Sequence, residues 1–242
     1  MEKSDDTNEN EEKWLYNYTL SSEEKLMEKD LDPEFYQGRR IISRDTPIDK
    51  GVFMVLGIQE AIVVDLSKDK YIYEFYRTAE KEINKLNLKP LLKKTKIKLE
   101  EQILNIVFNI VKSKIEYSKE KTEQNLYRIK EKHKLNTITD VKVKLGYILK
   151  NGYGVCRHSC LVTGVIIEKL ITEGYLKGNV SIDRNMSTEK GGHAWCRYTN
   201  DKGQTHILDT AQQENPVKLE DTINGYWNYH RPKEVTITRS EI

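Results

Sequence analysis

Three residues in the C-terminal half of the chain, Cys156, His193 and Asp209, have the side chains that thiol-dependent acyl transfer requires. In such chemistry a thiolate attacks carbonyl carbon, an imidazole moves the proton, and a carboxylate orients the imidazole. Taken singly, each residue has a simple structural explanation: a buried thiol, a strand histidine and a strand-end cap. Their occurrence within one segment makes them candidates for nucleophile, base and orienting group.

Cys156 lies directly after the glycine-rich turn 151–154 (NGYG) and before the apolar run Leu161–Leu170. This order predicts a helix that starts at or just before Cys156 and ends near Gly174. The unpaired amides and the dipole at a helix N-terminus stabilise an anion. The position therefore favours the thiolate form of Cys156 over an inert buried thiol.

His193 and Asp209 fall on two predicted strands that flank the turn 201–203 (DKG). If this turn is a three-residue loop with Gly203 in the left-handed conformation, Asp209 lies opposite Trp195. His193 and Asp209 then share one face of the hairpin as diagonal neighbours, within reach of each other's side chains. A two-residue loop would instead place Asp209 on the opposite face.

Three short blocks of this sequence resemble the signature motifs of the transglutaminase-like superfamily, whose members have papain-like folds and a Cys-His-Asp triad. The blocks are Gly154–His158 (GVCRH), His193–Trp195 (HAW) and Leu208–Asp209 (LD). The resemblance covers roughly residues 99–213. Nothing before Leu99 resembles a known family.

The resemblance implies an α+β fold with a papain-like core and with extra N-terminal helices and strands. In this core the nucleophile begins a central helix that packs on an antiparallel sheet. Cys156 would be the nucleophile, His193 the general base and then acid, and Asp209 the group that fixes the imidazole tautomer. The backbone amide of Cys156, with a polar group from the turn 151–153 or from Gln102, would form the oxyanion hole.

These roles predict acyl transfer at an amide carbonyl of a protein or peptide substrate through a thioester intermediate. Hydrolysis of the thioester would make the protein a protease, amidase or deamidase, and hydrolysis is common among bacterial members of the superfamily. Attack by an amine would make it a protein-glutamine transglutaminase. A further alternative is a binding module that keeps the fold and recruits an acidic partner without catalysis.

Further histidines and cysteines near the triad supply ligand types for a zinc site. Their spacing is poor for this purpose. On a helix, His158 points away from Cys156 and Cys160. On a strand, Cys196 faces away from His193. We therefore predict no metal and no other cofactor, with packing roles for the two other cysteines and a structural role for His158.

The rest of the chain divides by composition into an acidic tail that we expect to be disordered, an N-terminal α/β extension and the transglutaminase-like catalytic domain, over residues 1–12, 13–98 and 99–242. Apolar periodicity predicts helices over 14–29, 71–86 and 99–117. A charged segment over 119–135 and an apolar-basic stretch over 141–149 follow the last of these. The Val- and Ile-rich segment 51–66 predicts two short strands or one bent strand.

The 242 residues carry a net charge of +2, but the charge is unevenly distributed. Residues 1–34 contain 12 acidic residues against four lysines, whereas residues 81–150 contain 18 basic residues against eight acidic ones. In the basic segment, glutamates alternate with lysines at helical spacing. This pattern favours a solvated helical face over a nucleic-acid site.

The composition also predicts where the protein works. No apolar stretch approaches the roughly 18 residues that a membrane-spanning helix needs. The acidic N-terminus has neither the basic start nor the apolar stretch of a signal peptide. Three cysteines are too few for a disulfide framework and favour a reducing compartment. We expect a cytoplasmic protein, with export by a specialised secretion system left open.

Two further segments have side chains suited to the walls of a site. The aromatic cluster 226–230 (YWNYH) either lines a substrate groove or packs its rings onto the core. Residues 183–185 (DRN) lie in the segment that joins the predicted helix to the predicted strand, and loops near a site often line it. We therefore expect these residues at the cleft.

Overall fold

The structure, a computed structural model, describes residues 14–15, 35–54, 60–86, 93–134, 142–187, 189–222 and 227–231. The helices in these ranges are α1 (Lys70–Asn84), α2 (Lys93–Lys114), α3 (Lys119–His133), α4 (Leu145–Leu149) and α5 (Cys156–Thr172). The strands are β1 (Trp14–Leu15), β2 (Phe35–Tyr36), β3 (Arg39–Arg40), β4 (Val52–Met54), β5 (Ala61–Val63), β6 (Glu116–Tyr117), β7 (Lys142–Lys144), β8 (Tyr153–Gly154), β9 (Gly178–Ser187), β10 (Gly191–Asn200), β11 (Thr205–Leu208) and β12 (Val217–Lys218). This mixture confirms the α+β class.

The largest sheet is antiparallel and has the strand order β1-β9-β10-β11-β12. Its centre is β10, which pairs with β9 over its whole length and with β11 from Cys196 onward. The connection between β10 and β11 is the predicted three-residue turn: Asn200 N–H donates to the Gln204 carbonyl at 2.9 Å, and Gly203 has φ +82°. Cys196 pairs with Leu208, the register that the sequence predicts.

Helix α5 packs against this sheet as its central element. Its apolar side chains are buried on nearly all sides and join the core with residues of β9 and β10. Gly164 allows the close approach, because a Cβ there would lie 2.7 Å from side-chain atoms of Ile182 and Ile48. The helix ends where the sequence predicts, with Gly174 in the left-handed conformation at φ +81°.

Two of the other helices, α1 and α2, also pack on α5. Helices α1 and α2 correspond to the helices predicted over 71–86 and 99–117, and α3 to the charged segment over 119–135. Ile103 and Val107 of the predicted apolar stripe are fully buried. Strands β4 and β5 pair antiparallel, so the segment 51–66 contains two short strands, and β7 adds to them in parallel.

The apolar-basic stretch over 141–149 contains β7 and α4. Two expectations need correction. Residues 183–185 lie inside β9 and not in a connecting segment, because this polar strand pairs with β10 and its buried Asp183 forms an ion pair with Arg231. The helix predicted over 14–29 is wrong at its start, where Trp14–Leu15 pairs with β9 as a strand, and its remainder lies outside the described residues.

The structure bears on one of the predicted domain boundaries. The boundary between residues 98 and 99 falls within α2, and the main hydrophobic core draws residues from both sides of it. The acidic tail 1–12 lies outside the described residues. Within the part of the chain that the structure describes, no helix has the length and apolarity needed to cross a membrane.

Candidate active site

Cys156 is the first residue of α5, as the sequence predicts. Val155 caps the helix in an extended conformation, with φ −124° and ψ 179°. Cys156 is half-buried and lines a cleft. It therefore lies where the backbone amides of a first helical turn converge on an anion.

His193 and Asp209 meet through the predicted hairpin. His193 lies near the start of β10, and Asp209 directly follows β11. His193 Nε2 and Asp209 Oδ2 are 2.5 Å apart, and both side chains are buried. The sequence thus predicted the contact between these two residues through the register of the hairpin.

The His193 ring also lies beside Cys156, close enough to lower the pKa of the thiol. Since Asp209 engages Nε2, the ring nitrogen that remains for the thiol is Nδ1. The backbone N–H of Ala194 lies near the sulfur as well and contributes to the same shift. The three residues predicted for the site therefore lie next to one another in the order Cys156, His193, Asp209.

The surroundings of Cys156 favour its thiolate. Burial raises the pKa of the thiol, but the hydrogen bond and charge of His193, the Ala194 amide and the charge of Arg157 outweigh it. The net effect lowers the pKa of Cys156 below its ordinary value of 9.0. A lowered pKa at a partly exposed thiol is the condition for nucleophilic reactivity.

His193 is correspondingly stabilised in its protonated form. Burial lowers its pKa, but the charge and hydrogen bond of Asp209, together with the Cys156 sulfur, raise it from 6.5 to about 10. The two opposite shifts favour a thiolate–imidazolium pair over a neutral thiol and imidazole.

The other two thiols have the opposite environment. Cys160, one turn further along α5, and Cys196 on β10 are buried in the hydrophobic core. Burial raises the pKa of both well above 9.0. These cysteines pack beneath the site, as the sequence predicts, and serve as internal references for the reactivity of Cys156.

A buried charged network lies behind Cys156, and sequence reasoning did not identify it. Glu60, just before β5, is fully buried and accepts from Arg157 Nε at 2.5 Å. His158 Nε2 lies 2.9 Å from the same carboxylate oxygen. His158 Nδ1 accepts from the Val155 N–H at 3.1 Å, so the ring carries its proton on Nε2.

This network connects the start of α5 to a strand that lies far earlier in the sequence. The burial of Glu60 raises its pKa, but His158 and Arg157 together lower it to about 2. Burial lowers the pKa of His158, which is therefore neutral at physiological pH. His158 is structural, as predicted, and its role is to tie the cap of α5 to Glu60.

A second support comes from residues 227–231, which we call the C-terminal strap. Trp227 stacks on the His193 ring with centroids 4.5 Å apart and planes inclined by 22°. Tyr229 donates its hydroxyl proton to Asp209 Oδ2 at 2.8 Å. The cluster predicted over 226–230 thus packs on the histidine–aspartate pair, while Tyr226 lies outside the described residues.

An ion pair with β9 anchors the strap. Arg231 binds the buried Asp183 through two hydrogen bonds of 2.7 and 2.8 Å and also donates to Ser181 at 3.0 Å. Asn185 Nδ2 donates to the Asn228 carbonyl at 2.5 Å. Asp183 therefore holds the strap, whereas the other two residues of the predicted segment 183–185 line the cleft.

Of the residues predicted to form the oxyanion hole, Cys156 lines the cleft. Gln102 and the turn 151–153 are not among the residues lining it. Tyr117 does line it, on β6, where it pairs with Gly154 two residues before Cys156. Tyr117 is 52% exposed, and burial and the nearby charge of Cys156 raise its pKa, so it is a neutral hydroxyl donor.

The ligand types considered for zinc do not converge. His158 is bound to Glu60, and Cys196 is buried in the core. In the described ranges, no group of three or more His, Cys, Asp or Glu side chains is placed to hold a metal ion.

We compared the chain with known proteins and found no match. No family model, no curated protein and no solved structure matches the chain. The functional conclusion therefore depends on the arrangement of Cys156, His193 and Asp209 and on the motif resemblance described above.

Proposed function

We propose that the protein is a cysteine hydrolase that attacks an amide carbonyl of a protein or peptide through Cys156. The observation that carries this proposal is the position of His193, which contacts the Asp209 carboxylate through Nε2 and lies close enough to Cys156 to lower the pKa of the thiol. The same triad types, with the thiol at the start of a helix packed on an antiparallel sheet, support a papain-like, transglutaminase-like core.

In the first step, the Cys156 thiolate adds to the carbonyl carbon, and the carbonyl electron pair moves to the oxygen. The backbone N–H of Cys156, with the Tyr117 hydroxyl, stabilises this oxyanion. The imidazolium of His193 gives its proton to the leaving nitrogen, and the C–N bond breaks. An amine leaves, and a thioester on Cys156 remains.

In the second step, water attacks the thioester. His193 accepts a proton from the water, and the tetrahedral intermediate expels the Cys156 thiolate to release a carboxylic acid. Cys156 is partly exposed, so solvent reaches the acyl group. An amine in the place of water would give transamidation instead.

The free cysteines also support a proposal for the compartment in which the protein acts. All three cysteines are free, and the nucleophile must stay reduced to act. A reducing compartment such as the cytoplasm suits these requirements.

The test is to trap the acyl-enzyme. With p-nitrophenyl acetate as the acyl donor, we expect a burst of p-nitrophenolate and an acetyl group located on Cys156 by mass spectrometry. The Cys156→Ala variant should lose both, whereas the matched Cys160→Ala variant should keep them. Equal acetylation of all three cysteines, or unchanged hydrolysis by Cys156→Ala, would overturn the proposal.

The acyl acceptor is tested separately with a glutamine-containing peptide and a primary amine. Hydrolysis of the side-chain amide releases ammonia and leaves glutamate, whereas transamidation joins the amine to the peptide. We expect peptide-bond cleavage or glutamate, with the amine left free. Incorporation of the amine as the main product would identify a transglutaminase.

A further inference from the structure

The C-terminal strap, residues 227–231, covers the face of the large sheet that lies opposite α5. Successive residues of a strand point to opposite faces of its sheet. Within β10, Ala194 joins the hydrophobic core beneath α5, whereas the neighbouring His193 contacts Trp227 of the strap. The strap therefore reaches the base of the candidate site from the side opposite the helix that begins at Cys156.

Alternate residues of the strap contact the sheet at three successive points. Trp227 stacks on the ring of His193 at 4.5 Å. Tyr229 donates to Asp209 Oδ2 at 2.8 Å, the same oxygen that contacts His193 Nε2. Arg231, two residues further on, binds β9. The strap thus links an ionic anchor on β9 to both members of the histidine–aspartate pair.

The anchor on β9 is a buried ion pair. Asp183 is 1% exposed and accepts from two nitrogens of the Arg231 guanidinium, at 2.7 and 2.8 Å. Arg197 lies 4.0 Å from the same carboxylate. The outer side of the guanidinium contacts Asp45, whose side chain is 63% exposed. A two-pronged contact with a buried carboxylate fixes geometry, whereas an exposed ion pair contributes little.

The strap lies outside the cleft that contains Cys156. None of its residues is among those lining this cleft, and Arg231 lines a separate cavity of about 270 Å³ together with Asp45. An effect of the strap on turnover therefore has to pass through His193 and Asp209. It should change kcat and leave KM unchanged.

We propose that Arg231 is a positioning residue for the reaction at Cys156: its ion pair with Asp183 fixes the strap, and the strap holds His193 and Asp209 in place beside the thiol. This inference rests on the proposed function for the reaction itself. It adds a residue outside the cleft on which the geometry of the catalytic pair depends.

The first experiment measures steady-state hydrolysis of p-nitrophenyl acetate. In Arg231→Gln we expect kcat to fall roughly tenfold, the effect of losing an aromatic contact, with KM unchanged. Arg231→Lys keeps the charge but loses the planar pair of donors, so its kcat should lie between those of Arg231→Gln and the wild type. The matched control is Asp45→Asn, which removes the exposed acceptor of the same guanidinium and should change kcat by less than about twofold.

The second experiment repeats Arg231→Gln in a protein that already carries Trp227→Ala and Tyr229→Phe. There the strap no longer contacts the catalytic pair, so the further change in kcat should be less than about twofold. The same charge is removed in both backgrounds, so a direct effect of charge or a general loss of stability would act equally in both.

Two results would overturn the inference: an equal fall of kcat in both backgrounds, or an unchanged kcat when Arg231→Gln is made in the wild type. If Arg231→Gln does not fold, the same comparison is made with Arg231→Lys. We then expect a smaller fall in the wild-type background and none in the other.

A third measurement does not depend on turnover. The pH midpoint for alkylation of Cys156 by iodoacetamide should be higher in Arg231→Gln than in the wild type, because a displaced His193 stabilises the thiolate less. Asp45→Asn should keep the wild-type midpoint. The same midpoint in Arg231→Gln and the wild type would overturn the inference. A wild type without Cys156-dependent turnover would instead count against the proposed function, and the midpoints would still test the role of Arg231.

Discussion

The two halves of the candidate site are supported in different ways. On the nucleophile side, Cys156 starts a helix whose first turn is tied to the buried Glu60 through Arg157 and His158. On the base side, the His193 ring lies between a carboxylate and the indole of Trp227. The first support is ionic, and the second is largely aromatic.

The two supports control different properties of the site. The network behind Cys156 contains a guanidinium that helps to lower the pKa of the thiol, so it controls charge as well as position. The C-terminal strap adds no charge of its own next to His193, so it controls the orientation of the ring. Variants on the two sides should therefore fail in different ways.

The largest expected effect comes from changing Asp209, because this residue orients His193 and His193 in turn acts on Cys156. Asp209→Asn replaces the acceptor at His193 Nε2 with a neutral amide and removes the charge that favours the imidazolium. We expect kcat to fall by about 10⁴-fold. Steady-state hydrolysis by a correctly folded variant checks this, and turnover near that of the wild type would show that Asp209 has no orienting role.

On the nucleophile side, Glu60→Gln should act mainly through stability. It leaves Arg157 and His158 beside a neutral group in a buried site, and we expect the free energy of unfolding to fall by about 3 kcal/mol. Urea denaturation measures the change. The control Glu82→Gln breaks an exposed ion pair with Lys85 and should change the free energy little.

The effect of Glu60→Gln on the free energy of unfolding should also depend on pH. The pKa of Glu60 is lowered from 4.5 to about 2 in the folded protein, so its contribution to stability is complete above pH 4.5 and is lost as the pH falls through about 2. The difference in unfolding free energy between wild type and Glu60→Gln should therefore shrink below pH 4.5. A constant difference between pH 7 and pH 3 would contradict the ionic role of Glu60.

On the base side, Trp227→Ala should act mainly on turnover. Loss of the ring stacked at 4.5 Å frees His193 to leave its position, and we expect kcat to fall by about tenfold, in line with the free energy of an aromatic contact. Trp227→Phe should restore most of the activity. Equal rates for the alanine and phenylalanine variants would show that the stack does not orient the base.

The smallest effect is expected for Tyr229→Phe, which removes a single hydrogen bond of 2.8 Å to Asp209. Asp209 keeps its contacts with His193 and with the Ala211 N–H, so we expect the loss to match a typical hydrogen bond, roughly 1 kcal/mol, and kcat to fall about fivefold with KM unchanged. A rise in KM without a change in kcat would place Tyr229 in substrate binding and not in support of the triad.

The comparison also shows which parts of the site could be predicted from the sequence. The helix that begins at Cys156 and the hairpin that joins His193 to Asp209 depend on local signals, a glycine-rich turn and the turn around Gly203. Local signals fix the register over a few residues, and register determines which side chains share a face. These predictions were confirmed.

The aromatic cluster 226–230 was singled out from the sequence, but the ionic supports of the site were missed because they depend on contacts between distant segments. Glu60 follows no motif and meets Arg157 across 97 positions. Strand β9 has an unusually polar sequence, and its buried Asp183 is neutralised by Arg231 of the C-terminal strap at 2.7 Å and by Arg197 of β10 at 4.0 Å. Tertiary contacts override the local preference in such strands.

The most direct test of the central claim is the pH dependence of the alkylation of Cys156 by iodoacetamide, followed for each cysteine by mass spectrometry. In the wild type we expect selective modification of Cys156 with a midpoint below pH 9, while Cys160 and Cys196 stay unmodified. In His193→Ala the midpoint should move above pH 9, because burial then raises the pKa unopposed by the imidazolium. The same midpoint in both proteins, or equally slow labelling of all three thiols, would contradict an activated cysteine–histidine pair.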